Sequence, residues 1–128
     1  MTQILERLLV LPAIVLLMGG CAGKHTASEP ATGSSPARLQ VENHNWLDVI
    51  IYVVHDGQTT RVGSATAATT TNFTLGPALL GQLGNIQLIA DPVGAPNGIT
   101  SPTIVVKAGT RVVWTLESDL ARSSLSVF

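Results

Sequence analysis

Three side chains that commonly bind transition metals lie within one short stretch of the chain. His44, Asp48 and His55 would supply two imidazoles and a carboxylate, a donor set that suits zinc or copper. The apolar run between them is typical of an extended strand. A strand over residues 47–55 would separate the two imidazoles by roughly 26 Å. One ion could then be shared only if another element brought the histidines together, so we expect both to be solvated loop residues.

The same stretch offers oxygen ligands that could suit calcium. Asn43, Asn45 and Asp48 are spaced in a way that loosely resembles a calcium-binding loop. The glycine and the bidentate glutamate of an EF-hand loop are missing. Asn side chains also hydrogen-bond the local backbone in turns. The pattern therefore favours a turn over a calcium site.

Catalytic chemistry has little support in the sequence. Ser, His and Asp all occur, but there is no Gly-x-Ser-x-Gly nucleophile elbow. Acidic residues are scarce, which argues against the paired carboxylates of a glycosidase. We expect a protein that is not an enzyme, with no catalytic residues, no metal and no cofactor.

Recognition chemistry is better represented than catalysis. Trp46 follows a turn, and both Trp46 and Tyr52 could stack on a sugar or on an exposed peptide; packing over a domain edge is the simpler alternative. The turn at residues 43–46 and the long Pro/Gly/Asn loop at residues 91–101 are the segments expected to form a binding surface. The sequence does not establish that they lie at the same end of the domain. The candidate surface residues are Asn43, His44, Asn45, Trp46, Asp91 and Asn97.

Cys21 is the only cysteine of the chain, so an internal disulfide is excluded. It follows an apolar run over residues 8–18 that is too short to span a bilayer, which needs about 20 residues. Such a run, preceded by the basic Arg7, is typical of a signal peptide. Residues 18–21, Met-Gly-Gly-Cys, resemble the lipobox of bacterial lipoproteins.

That resemblance implies a processing route and a location. A lipoprotein signal peptidase would cleave before Cys21, which would then carry diacylglycerol and usually an N-linked acyl chain. Two or more chains anchor a protein where one does not. Ala22 after the cysteine implies the outer membrane rather than the inner one. The predicted organisation is therefore a signal peptide at 1–20, the lipidated cysteine with a flexible linker at 21–36, and one folded domain at 37–128.

Composition restricts the partners of this domain. The chain has 128 residues, a net charge of −1 and only 12% charged residues. This leaves no basic field for a nucleic-acid partner. The expected partners are the membrane, through acyl chains on Cys21, and an envelope protein or glycan.

The pattern from residue 37 onward predicts an all-β domain. Short apolar runs are separated by turn signals every 8–12 residues, which is typical of a β-sandwich. The longest run, at residues 47–55, is apolar on both faces and predicts a central strand covered on both sides. Seven to eight mostly antiparallel strands are expected, in an immunoglobulin-like or transthyretin-like sandwich, with a small barrel as the alternative. The predicted strands are 38–43, 47–55, 59–65, 70–75, 85–90, 103–107, 110–117 and 124–128.

A second resemblance covers about a third of the domain. The run at residues 41–54, followed by Gly57 and by Arg61-Val62-Gly63, is similar to a small module of uncharacterised bacterial envelope proteins. It implies a location but no activity. The sequence as a whole predicts a lipid-anchored, non-catalytic envelope protein whose sandwich binds or scaffolds. The alternatives are a periplasmic metal-binding protein, a small hydrolase, and assembly through an exposed sheet edge.

Overall fold

The computed structural model describes residues 35–128, in which nine strands, one short α-helix and one 3-10 helix (Leu120–Arg122) occur. The expectations for the signal peptide and Cys21 lie outside the described residues, as does most of the linker. No helix within the described part of the chain is long and apolar enough to cross a membrane. The elements are β1 (Ala37–Asn43), β2 (Val49–His55), β3 (Gln58–Ala65), β4 (Thr69–Leu75), α1 (Pro77–Leu80), β5 (Asn85–Pro92), β6 (Ile99–Thr100), β7 (Ile104–Val105), β8 (Arg111–Leu116) and β9 (Ser124–Val127).

The strands form two separate sheets, which confirms the predicted all-β sandwich. One sheet has the order β4-β1-β8-β9, and the other has the order β3-β2-β5-β6 with β7 also paired to β5. All pairs are antiparallel except β1 with β8, which is parallel. The short edge strand β6, which was not predicted, brings the number of strands to nine, above the seven or eight predicted.

Alternating side chains of the two sheets meet in a single apolar core. In β8, Val112, Trp114 and Leu116 are buried, as the clean alternation of this segment predicts. In β5, Ile86, Leu88 and Ala90 are buried on the facing layer. The remaining fully buried aliphatic side chains come mainly from β1 and β2: Leu39, Val41, Val49, Ile51 and Val53.

The central strand β2 is covered on one face only, which corrects the prediction of a strand covered on both. It lies between β3 and β5, and its inward residues are buried. The outward residues Ile50, Tyr52 and Val54 are half-buried because no second layer packs on that side of the described domain. β-branched side chains pack well against their neighbours on a pleated surface. The apolar outer face of β2 therefore does not require another layer of structure over it.

The predicted hairpin after β2 is present. Asp56 and Gly57 both have positive φ angles, 48° and 74°, as a two-residue type I′ turn requires. The Pro-Ala-Leu-Leu segment, whose sequence fits either a helical turn or a loop, forms the single helical turn α1. It contacts β2 and β4.

The long loop predicted at residues 91–101 is shorter than expected. Asp91 belongs to β5, where it pairs with Ile50, and the loop proper spans residues 93–98. β6 and β7 then follow one edge of β5 with an interruption at Ser101 and Pro102. The Ser101 hydroxyl accepts from the backbone N–H of Leu88 at 2.9 Å. The strand predicted at 103–107 is reduced to Ile104 and Val105, and the N–H of Val106 donates instead to the carbonyl of Gly84 at 2.8 Å.

Candidate functional site

Three connections meet at one end of the sandwich because β1 and β8 are parallel. Asn43 at the end of β1 is paired with Leu116 at the end of β8, so the segments that follow both strands leave the same edge. Val49 at the start of β2 is paired with Pro92 at the end of β5, which adds the loop after β5. The turn and the loop predicted as a binding surface therefore do lie at the same end, together with the β8–β9 connection.

Asn43 is a buried structural residue and not part of an accessible surface, which corrects the expectation for this position. Its side chain is 0% exposed. The amide nitrogen donates to the carbonyl oxygens of Leu47 at 2.9 Å and Ala65 at 3.1 Å, and Oδ1 accepts from the N–H of Asn45 at 3.0 Å. Asn43 thus ties the end of β1 to the start of β2 and the end of β3.

Asn45 is also buried, and it holds the top of the turn in place. Its Oδ1 accepts from the N–H of Leu47 at 3.0 Å, and its amide nitrogen donates to the carbonyl of Ser118 at 3.2 Å. The Ser118 hydroxyl in turn donates to the carbonyl of His44 at 3.3 Å. The β1–β2 turn is therefore fixed from within and from the neighbouring connection. The sequence predicts turn chemistry for these Asn residues but gives no sign that they are buried.

Trp46 is the large aromatic side chain of this turn, and it points into solvent, as the smaller side chain of His44 also does. Trp46 is 76% exposed, although the flanking residues Asn45 and Leu47 are held by the hydrogen bonds described above. This contradicts the simpler expectation that the indole packs over the domain edge. Tryptophan is enriched at binding interfaces because its ring is apolar and its N–H is polar.

Trp46 borders an open groove of about 480 Å³ between the three connections. Asn97 and Gly98 line it from the loop after β5, and Ser118 and Asp119 line it from the β8–β9 connection. Asp119 accepts from the N–H of Ala121 at 3.1 Å, which fixes the carboxylate at the groove edge. The remaining lining residues are mostly apolar: Leu47, Pro92, Ala95, Ile99, Leu120 and Ala121, with Asn45 beside them.

The other predicted surface residues contribute less to this groove. His44 is exposed and lies 3.4 Å from Glu117 through Nδ1 and a carboxylate oxygen, but it does not line the groove. Asp91 points away from the core on β5 and is also outside the groove lining. Tyr52 lies on the outer face of the five-stranded sheet. Trp46 and Asn97 are therefore the predicted surface residues that the fold brings together in an accessible place.

The metal and calcium hypotheses lack a converging ligand set. His44 precedes β2 and His55 ends it, so the seven-residue strand separates them by roughly 20 Å. No group of three His, Cys, Asp or Glu side chains suited to a metal ion occurs among residues 35–128. The Oδ1 atoms of Asn43, Asn45 and Asp48 already accept backbone N–H groups, that of Asp48 from Ala67 at 2.8 Å.

Within residues 35–128, Nδ1 of His55 is the only buried side-chain nitrogen or oxygen that has no hydrogen-bond partner. Its side chain is only 10% exposed, and Nδ1 makes no hydrogen bond although Asp56 Oδ2 is 3.7 Å away. The Nδ1 atom of His44 lies near the carboxylate of Glu117, and that of His55 lies near the carboxylate of Asp56. A serine nucleophile would instead need a histidine within hydrogen-bond distance of its hydroxyl.

Comparisons with known proteins find similarity among solved structures. No family model and no curated protein matches the chain. Among solved structures, the chain is similar to the NMR structure of a protein from Eubacterium rectale. The two share 16% sequence identity over 76% of this chain and 90% of that one, with a TM-score of 0.45.

Proposed function

We propose that the chain is a lipid-anchored, non-catalytic protein of the bacterial envelope whose sandwich binds a glycan in the groove beside Trp46. The observation that carries the binding part of this proposal is the 76% exposure of Trp46 on a backbone fixed by two buried Asn side chains. The lipobox-like residues 18–21 support the anchor, since acyl chains on Cys21 would hold the domain at a membrane.

A glycan fits the chemistry of the groove. The apolar face of a sugar ring packs on an exposed indole, and its hydroxyls need fixed polar partners at the rim. Asn97 and Asp119 offer an amide and a carboxylate there, and Ser118 adds a hydroxyl. Small-ligand sites usually consist of a mostly apolar concave surface that carries a few polar groups.

Tryptophan fluorescence tests the binding part directly, because the described residues contain one exposed and one buried tryptophan. Titration of a soluble chain beginning at residue 22 with oligosaccharide fragments of cell-wall glycan should change the emission of Trp46. Isothermal titration calorimetry, which does not depend on the indole, should show that Trp46→Ala weakens binding at least about tenfold, as expected when a central aromatic contact is removed.

Leu83→Ala is a matched control for this titration. Leu83 is also 76% exposed, but it precedes β5 and so lies at the opposite end of that strand from the groove. The control should bind as the unaltered chain does. Equal affinity of the Trp46→Ala variant and the unaltered chain would contradict the proposed site.

Cys21→Ala tests the anchor. The variant should lose incorporation of labelled palmitate and should appear in the soluble fraction, because the acyl chains supply the membrane affinity. Ser28→Ala, in the predicted linker, should leave both unchanged. Membrane retention of the Cys21→Ala chain with unchanged labelling would contradict lipidation at this residue.

A further inference from the structure

The four-stranded sheet ends at β9, a strand with an open side. In the sheet order β4-β1-β8-β9, β9 is paired only with β8, and no other strand of residues 35–128 lies beyond it. An open strand edge presents unpaired N–H and C=O groups, which natural proteins usually protect with charges, proline or a bulge. β9 has the sequence Ser-Leu-Ser-Val and carries none of these.

The hydrogen-bond pattern shows which groups are free on that edge. Arg111 and Phe128 exchange both backbone hydrogen bonds, at 3.0 Å and 2.8 Å, so Phe128 faces β8 with its N–H and C=O. Antiparallel pairs alternate between bonded and non-bonded positions. Ser126 and Ser124 therefore also face β8, whereas the N–H and C=O groups of Leu125 and Val127 point to the open side.

A second groove, of about 500 Å³, runs beside this open edge. Leu125 and Val127 line it from β9, and Ile99 and Ile104 line it from the edge of the facing sheet. Trp114 of the core also lines it. No charged side chain lines this groove, so its occupant has to be uncharged and largely apolar.

We infer that this edge is an interface between two copies of the chain, which pair through β9 in antiparallel orientation about Ser126. Ser126 separates Leu125 from Val127, whose backbone groups are free. When the strands pair about Ser126, Leu125 of one copy lies opposite Val127 of the other. Each of the two such pairs exchanges two backbone hydrogen bonds, which gives four in all. Isologous pairing of this kind is the commonest form of symmetric dimer.

The sequence of β9 fits the groove that it borders, which favours a second copy over an unrelated peptide. An added strand places alternate side chains on the groove side, and these are Leu125 and Val127 of the second copy. The strand and the groove are both uncharged. Val127 and Phe128, which are 42% and 68% exposed, would lose exposure in both copies at once.

Cysteine cross-linking tests the proposed register in the full chain carrying Cys21→Ser, purified in mild detergent. Ser126 lies opposite itself in a non-hydrogen-bonded pair, where Cα atoms are about 4.5 Å apart. That separation lies within the range that a disulfide bridges, about 4.4–6.8 Å. Under mild oxidation, Ser126→Cys should therefore give a covalent dimer.

Ser124→Cys is the matched control, because Ser124 is exposed on the same strand and the same face. In the proposed register the two copies of residue 124 are roughly 14 Å apart, since each lies four residues along the strand from the other. The dimer yield of Ser126→Cys should exceed that of Ser124→Cys at least about tenfold, because disulfides do not bridge Cα atoms more than about 7 Å apart.

A lysine placed on β9 provides a second test, and a lysine placed on the opposite edge strand β4 is its control. Val127→Lys in the Ser126→Cys chain should abolish the cross-link, because it puts a charge into the apolar groove. Asn72→Lys, on the opposite edge strand β4, should leave it unchanged. Equal cross-linking of Ser126→Cys and Ser124→Cys, a monomeric Ser126→Cys chain, or a cross-link to a different polypeptide would each overturn the inference.

Discussion

Asn43→Ala should be among the most destabilising single substitutions in a polar residue of this domain. The side chain is fully buried and makes three hydrogen bonds of 2.9–3.1 Å to the backbone of Leu47, Ala65 and Asn45, with a longer fourth to the carbonyl of Thr66 at 3.3 Å. Each such bond contributes about 1 kcal/mol net, and its loss leaves a buried group without a partner. The free energy of unfolding should therefore fall by about 3 kcal/mol.

Urea unfolding of a soluble chain beginning at residue 22, followed by the emission of the buried Trp114, measures this loss. A change of 3 kcal/mol corresponds to a fall in melting temperature of roughly 12–24 °C for a domain of this size. Asn72→Ala is the control, since Asn72 is exposed on β4 and should change the stability by less than about 0.5 kcal/mol. A loss below about 1 kcal/mol for Asn43→Ala would refute the structural role given to this residue.

Two further substitutions test the packing of the described domain. Gly84→Ala should destabilise by about 1–3 kcal/mol, because Gly84 has a φ of 70° and an added Cβ would collide with the carbonyl oxygen of Val106; Gly76→Ala, with open space around its Cβ position, should change the stability little. A loss for Gly76→Ala equal to that for Gly84→Ala in thermal unfolding would count against this account. Trp114→Ala should cost about 3–5 kcal/mol by leaving a cavity in the core, whereas Trp46→Ala should cost less than about 0.5 kcal/mol in the same assay. Comparable losses for the two tryptophans would mean that Trp46 packs against the domain.

Local signals in the sequence predict most of the strands correctly. The Asp56-Gly57 pair predicts a tight hairpin because only a few residue types accept two positive φ angles in succession, and both angles are positive in the structure. The alternation in β8 predicts the burial of Trp114 because side chains along a strand point alternately to the two faces. Both inferences need only neighbouring residues.

The features that the sequence does not predict depend on long-range pairing. Asn43 and Asn45 have the composition of a surface turn. The parallel pairing of β1 with β8 brings the carbonyl of Ser118 to Asn45, and the end of β3 brings the carbonyl of Ala65 to Asn43. The pairing of β2 with β5 brings Trp46 and Asn97 to one groove. Asp91 extends β5 because Ile50 of β2 lies beside it, although Asp-Pro is locally typical of a loop. A residue's local pattern carries no information about which distant strand pairs with it.

The central claim is that the groove beside Trp46 binds a glycan, and the two indole N–H resonances of residues 46 and 114 test it most directly. Oligosaccharide fragments of cell-wall glycan, added to the labelled soluble chain, should shift the Trp46 indole resonance together with the amide of Asn97. The resonance of buried Trp114 should stay in place. Fragments that bind while the Trp46 resonance stays unchanged, or that leave every resonance unchanged at millimolar concentration, would contradict the claim.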